Sequence, residues 1–269
     1  MLRFPVVAGR FYPGTQSFLE DRIEDIVDRK AAPEEVLGII SPHAGYNYSG
    51  AVAGAGISRV RFKDTFIILG PNHTGMGEPF SIMTEGVWNT PMGNVDIDEE
   101  LAAALLESCP YLKSDVAAHM EEHSIEVQVP FLQYFQPDVK IVPIVLAGDP
   151  SGDVCREIGK GIAKTLKESG RKAVIMASSD MSHYEPQEAA KENDFRAIES
   201  ILALDMDQLL ARVREYHITM CGCAPVATLI AACNELGAKK AELVMYQTSG
   251  DVTGDYYRVV GYASVIIKK

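Results

Sequence analysis

The chain has 269 residues, 47% of them hydrophobic, and a formal net charge of −12 at pH 7. That length can bury a substantial core, and no Pro/Ser-rich linker, charge run or low-complexity stretch divides it, so residues 1–269 read as a single domain. The acidic balance, with no basic stripe to offset it, argues against nucleic acid or an anionic membrane as the main partner, because both are bound through clustered Lys and Arg.

The opening "MLRFPVVAGRFYP" is too short, and too interrupted by Pro5, for a signal peptide. No apolar run approaches the ~18 residues that a membrane span needs. The five cysteines (Cys109, Cys155, Cys221, Cys223 and Cys233) make an odd number in a chain without an export signal, which reads as reduced thiols in a cytoplasmic protein. "SFLEDRIEDIVDR" predicts a first helix, opened by the capping pair Ser17 and Glu20. Strands are expected at residues 36–41, 65–69, 140–146, 172–177, 241–247 and 258–267, most of them nearly continuous Val/Ile runs of the kind covered on both faces. Helical patterns fall at 97–107, 124–135, 153–168, 187–202, 206–215 and 225–236. The alternation predicts an α/β fold with a central, largely parallel or mixed sheet flanked by helices.

Polar residues collect where these strands end. The first strand runs into His43 of "SPHAGYNYSG", the second into His73 of "GPNH", and that at 172–177 into "SSDMSH" with Asp180 and His183. In open α/β sheets the ligand crevice lies beyond the carboxyl ends of the strands. Two imidazoles on rigid strand ends are a common beginning of a transition-metal site, and Cys221 of "TMCGCAP" is the best third donor. From the residues alone, structural histidines and a small buried cysteine are comparable readings. "HMEEH", His119 to His123, matches the pattern of inverted zinc proteases, in which His119 and His123 would share one helical face and Glu122 would activate a zinc-bound water. That motif lacks a later carboxylate ligand and leaves the strand-end histidines unexplained. In "EEHSIEVQVPF", Ser124 can cap a helix, with His123 just before it free to face the cleft and Glu126 in its first turn, either as a capping-region acid or as a site residue.

Taken together and in this order, "AGRFYP", "SPHAGYNYSG", "ILGPNH", "EEHSIEVQVPF", "SSDMSHY" and "YHITMCGCAP" resemble the Memo family, over nearly the whole chain. That family is similar in fold to class III extradiol dioxygenases of the LigB type, which are non-haem iron enzymes. The resemblance implies metal ligands at His43, His73 and Cys221, with Asp180, His183 and His123 as neighbouring cleft residues and His183 as the acid/base. The dioxygenases complete their triad with a carboxylate, whereas a thiolate here favours softer ions, so copper and zinc compete with iron. The expected function is metal-dependent redox chemistry on a small molecule, with a mononuclear transition metal, O2 as co-substrate, and His183 oriented by Asp180. Tyr46, Tyr48 and Phe11 are candidates to line the pocket. Two alternatives stand beside it: a non-catalytic module binding a peptide or small anion, and metal-assisted hydrolysis or cyclisation.

Overall fold

The Val- and Ile-rich runs form the six strands that the sequence indicates, and in a computed structural model describing residues 1–148 and 151–269 they lie in one sheet. Four of them, Gly38–Ser41, Ala173–Ser178, Thr65–Pro71 and Lys140–Leu146, are parallel neighbours in that order. Side chains such as Ile39, Ile40, Ile67, Ile68 and Val174 are fully buried, as expected for strands covered on both faces. Antiparallel strands flank this centre. Val259–Lys268 pairs with Gly38–Ser41 and carries Lys240–Thr248 beyond it, while Phe80–Ile82 closes the other side against Lys140–Leu146. Among the described residues the sheet has nine strands and is mixed, within a single α/β unit.

Successive residues of one strand show the two helical layers. Gly38 lies against Leu229 and Cys233 of the Cys223–Glu235 helix, which the Gly152–Ser169 helix covers in turn. Ile39, pointing to the opposite face, meets the Gly50–Ile57 helix at Gly56. That second helix is unexpected from "GAVAGAGI", because three glycines in a row of eight residues read as a turn. Its glycines serve close packing: a Cβ on Gly54 would collide with the Ile26 carbonyl, and one on Gly56 with the Ser264 hydroxyl. Tertiary approach here overrides weak helix propensity.

Other differences have similarly local causes. The first helix spans Gln16–Ile26, and its cap is Thr15 without a side-chain bond, so the Ser17/Glu20 pair does not cap it. Glu20 instead accepts from Gln16 at 2.9 Å. The expected helix at 124–135 is a turn of 3-10 helix at Glu126–Gln128 followed by α-helix only from Val129 to Phe135. Ser124 does not cap it: the residue before the 3-10 turn is Ile125, and the Ser124 hydroxyl donates to the Pro71 carbonyl at 3.0 Å. A small sheet of Leu2–Arg3, Val87–Thr90 and Gly93–Asp96 was not legible, its strands being too short for a periodic signal. Among the described residues no helix is long and apolar enough to cross a membrane.

Candidate metal centre

Ser41, Pro71 and Ser178 are the last residues of three adjacent parallel strands, and His43, His73 and Asp180 each stand two positions beyond. Parallel pairing therefore delivers all three to one end of the sheet. The protons there can be followed atom by atom. The Ser178 hydroxyl donates its one hydrogen to the Ser124 carbonyl at 2.6 Å and accepts from the Gln128 amide at 2.8 Å. Its contact with His43 Nδ1 at 2.9 Å is then one in which the imidazole donates. His43 thus carries its proton on Nδ1 and presents the Nε2 lone pair.

His73 follows the same rule with a different partner. Its Nδ1 lies 2.8 Å from Glu122 Oε1, and its backbone N–H donates to Glu122 Oε2 at 2.5 Å. Burial alone would raise the Glu122 carboxyl, but the hydrogen bond and charge of His73, with the backbone amides of Ser124 and His73, hold it down at about 2. An ionised carboxylate can only accept, so His73 donates from Nδ1 and its Nε2 is also free. His123, from the turn just after Glu122, stacks on His73 with ring centroids 4.7 Å apart and meets the Phe11 ring edge-on at 5.0 Å. One nitrogen each from His43, His73 and His123 lie within 4.8 Å of one another, a group that could hold a metal ion. Burial, then the neighbouring His73 and His123 charges, lower the His43 pKa well below its ordinary value. Burial lowers His123 as well, whereas at His73 the effect of burial is outweighed by Glu122 and the pKa rises.

Cys221 sits beside this group, its Sγ 3.3 Å from His43 Nε2 and 3.3 Å from the Asp180 backbone N–H. Burial, and then the charge of Asp180, push the thiol up, so its hydrogen is retained and shared between His43 Nε2 and the Asp180 carbonyl at 3.7 Å. The Asp180 carboxylate is buried and accepts from the His43 backbone N–H at 2.8 Å, which fixes the start of the turn after the strand. It does not orient His183. That ring is held by the Thr219 carbonyl, 2.8 Å from Nδ1, so Nδ1 donates and Nε2 carries the lone pair.

The whole Asp180–His183 segment is pinned amide by amide: Asp180 to Cys221 Sγ, Met181 to the Gly261 carbonyl at 2.8 Å, Ser182 to Asp194 at 2.8 Å, and His183 to the Thr219 hydroxyl at 2.7 Å.

The family assignment rests on the whole sequence rather than on these contacts. Residues 3–266 match the family described as Memo-like protein. The chain belongs to the Memo family. MEMO1 family proteins of Methanococcoides burtonii, Methanopyrus kandleri and Methanococcus maripaludis strain C6 are 46%, 41% and 45% identical to it. The alignments cover 99%, 100% and 100% of this chain and the full length of each relative. A crystal structure of an uncharacterized protein from Escherichia coli K12 superposes with a TM-score of 0.57 over 87% of this chain and 100% of that one. At 12% identity that likeness is one of fold alone.

Within this Memo-family chain the "HMEEH" motif comes apart. The Ala117–Met120 helix ends before Glu122, and His119 points to Ser81, with Nε2 2.9 Å from its hydroxyl, and to the edge of Trp88. Glu122 supports His73 instead of activating water between two histidines. Glu126 is neither a cap nor a cleft residue. It forms a buried ion pair with Arg3 at 2.7 Å and accepts from Tyr12 and from the amides of Val6 and Val7. Arg3 also donates to the carbonyls of His119 and Glu122 at 2.8 and 2.6 Å and stacks over Trp88. This clamp fixes the loop that bears Glu122 and His123. Glu122, Ser178 and Thr219 fall inside the stretches "HMEEH", "SSDMSH" and "TMCGCAP", but their spacing does not reveal these supporting roles, and Arg3 lies in none of those stretches. Of the candidate aromatics, Phe11 touches the cleft, Tyr46 is buried with its hydroxyl on the Val127 carbonyl, and Tyr48 is exposed.

Proposed function

We propose that the cleft holds one transition-metal ion on His43 and His73 with Cys221 as third donor, and that the protein carries out metal-dependent redox chemistry on a small molecule with O2 as co-substrate. The observation that carries this reading is the commitment of both Nδ1 atoms, to Ser178 and to Glu122, which is how ligating histidines are held with Nε2 free. Two donors on one tetrahedral ion, at about 2.0–2.3 Å each, stand about 3.3–3.7 Å apart. The 3.3 Å between Cys221 Sγ and His43 Nε2 meets that spacing. When bound, iron or copper supplies electron transfer and polarises substrate, whereas zinc supplies Lewis acidity alone. Cys221 must release its proton to become a ligand, and a cation offsets what burial and Asp180 cost the thiolate. His183, anchored through Nδ1, accepts or delivers a proton at Nε2.

A second reading takes His123 as the third donor in place of Cys221, and the clustering of the three imidazoles within 4.8 Å favours it. Three imidazoles suit zinc and hydrolytic or cyclising chemistry. Metal titration of protein prepared without oxygen separates the two. Cys221→Ser should weaken copper or zinc binding sharply while His123→Ala keeps the ion; the opposite pattern establishes the second reading. Activity screening of the metal-loaded protein then tests the reaction. His183→Ala should keep the metal and lose about 10²–10⁴-fold in turnover. A protein that takes only zinc and shows no redox turnover sinks the redox reading.

A further inference from the structure

Among the described residues, three other than glycine have a left-handed backbone: Tyr184 at φ 61°, Leu204 at φ 56° and His217 at φ 53°. Leu204 and His217 directly follow the capping residues of the Gln187–Leu202 and Met206–Glu215 helices, where such a conformation is the ordinary way to stop a helix. Tyr184 has no such reason. It lies inside the His183–Glu185 strand, at a bulge where His183 pairs with Val260 and Glu185 with Val259. A bulky aromatic held this way costs stability, and bulges next to active sites re-aim a side chain. The side chain it aims is 66% exposed, stands 5.9 Å from the His183 ring between centroids, and carries the Arg258 guanidinium 5.4 Å from its own centroid.

Arg258 is itself unusual in so acidic a chain. The exposed Arg29, Arg61 and Arg171 each pair with an acid. Arg258 and Arg10 are exposed and have no acidic partner among the described residues. Of the two, Arg258 lies over Tyr184, whose ring adjoins His183. Nearby acids are committed elsewhere, Asp255 to the Tyr257 amide and Glu185 to Asn193. An unpaired guanidinium held over an aromatic face is a ready receptor for an anion.

Resting on the reading of the cleft as a substrate site, we propose that Tyr184 and Arg258 form its specificity rim. The substrate of this site carries a carboxylate or phosphate group that Arg258 binds while Tyr184 holds the guanidinium beside His183.

The test is calorimetric titration of the metal-free protein with sodium benzoate and with inorganic phosphate at constant ionic strength. One probe should saturate at one site, and which one does so distinguishes carboxylate from phosphate. Arg258→Gln should weaken that probe about tenfold or more. Tyr184→Gly should weaken it about threefold or more while the melting temperature holds or rises, because glycine accepts the left-handed backbone. Metal content, measured separately, should be unchanged in both variants. If neither probe saturates, or if Arg258→Gln leaves the affinity unchanged, the rim is refuted. Failure of the wild type to bind any metal sinks the redox reading and leaves this result standing by itself.

Discussion

His119 and His43 are both buried histidines, yet only one stands in a cluster of donors. At His119 one nitrogen meets Ser81, the other finds no partner among the described residues, and the packed surroundings are the Trp88 ring and the Arg3 clamp. At His43 the proton is pinned on the inner nitrogen and the outer one faces His73, His123 and Cys221. Both rings give a proton to a hydroxyl whose own hydrogen is spent, Ser178 on the Ser124 carbonyl and Ser81 on the Asp115 carbonyl at 3.1 Å, so what separates the packing histidine from the candidate ligand is what the unclaimed nitrogen faces. A neighbour that can only accept turns the ring into a donor of electrons on its far side.

The largest effect that sharpens this contrast is loss of the proposed ligands themselves. His43→Ala and His73→Ala should each abolish stoichiometric metal binding with the fold intact by circular dichroism, whereas His119→Ala should leave metal content unchanged. Metal lost in the last variant and kept in the first two would invert the comparison. Next comes the clamp behind the site. Arg3→Met strands Glu126 as an uncompensated buried charge and should lower unfolding stability by about 3–5 kcal/mol in denaturant titrations. A variant as stable as wild type would show that the clamp is ornamental.

A smaller change tests the support of His73. Glu122→Gln keeps the shape but removes the charge beneath the ring, so metal affinity should fall about 10–100-fold by competition with a chelator. The smallest effect concerns pH. Burial lowers the His119 pKa from 6.5 to about 4, so the unfolded chain binds the proton first. Its contribution is fully present above pH 6.5 and is lost as pH falls through about 4, on the order of 3 kcal/mol. In metal-free protein, His119→Leu should flatten the acid limb of stability in that window; an unaltered slope would mean that the folded protein accepts the proton there.

The strands and the strand-end positions were legible because burial on both faces leaves an uninterrupted Val/Ile signature, and because "PHAGY", "GPNH" and "SSDMSH" interrupt it abruptly. The roles within the cleft were not. Nothing in "SSDMSH" tells that Asp180 turns to the His43 backbone and that Thr219 takes His183, since both depend on pairings across the fold. Glu126 read as a helix-start acid because Arg3 lies 123 positions away. The glycine-rich Gly50–Ile57 helix was hidden for the same reason: its justification is a carbonyl and a hydroxyl contributed by other elements.

The four pinned amides of Asp180–His183 have a consequence for when the protein becomes competent. Their partners lie on the turn at Thr219 and Cys221, on the Gln187–Leu202 helix and on the C-terminal strand at Gly261. Contacts such as His43 to Asp180 and to Cys221 span 137 and 178 positions of chain. Such distant closures form slowly and late. A nascent chain that has not yet delivered the Val259–Lys268 strand lacks the Gly261 carbonyl that holds Met181, so the segment bearing Asp180 and His183 is left unfinished until that strand is in place.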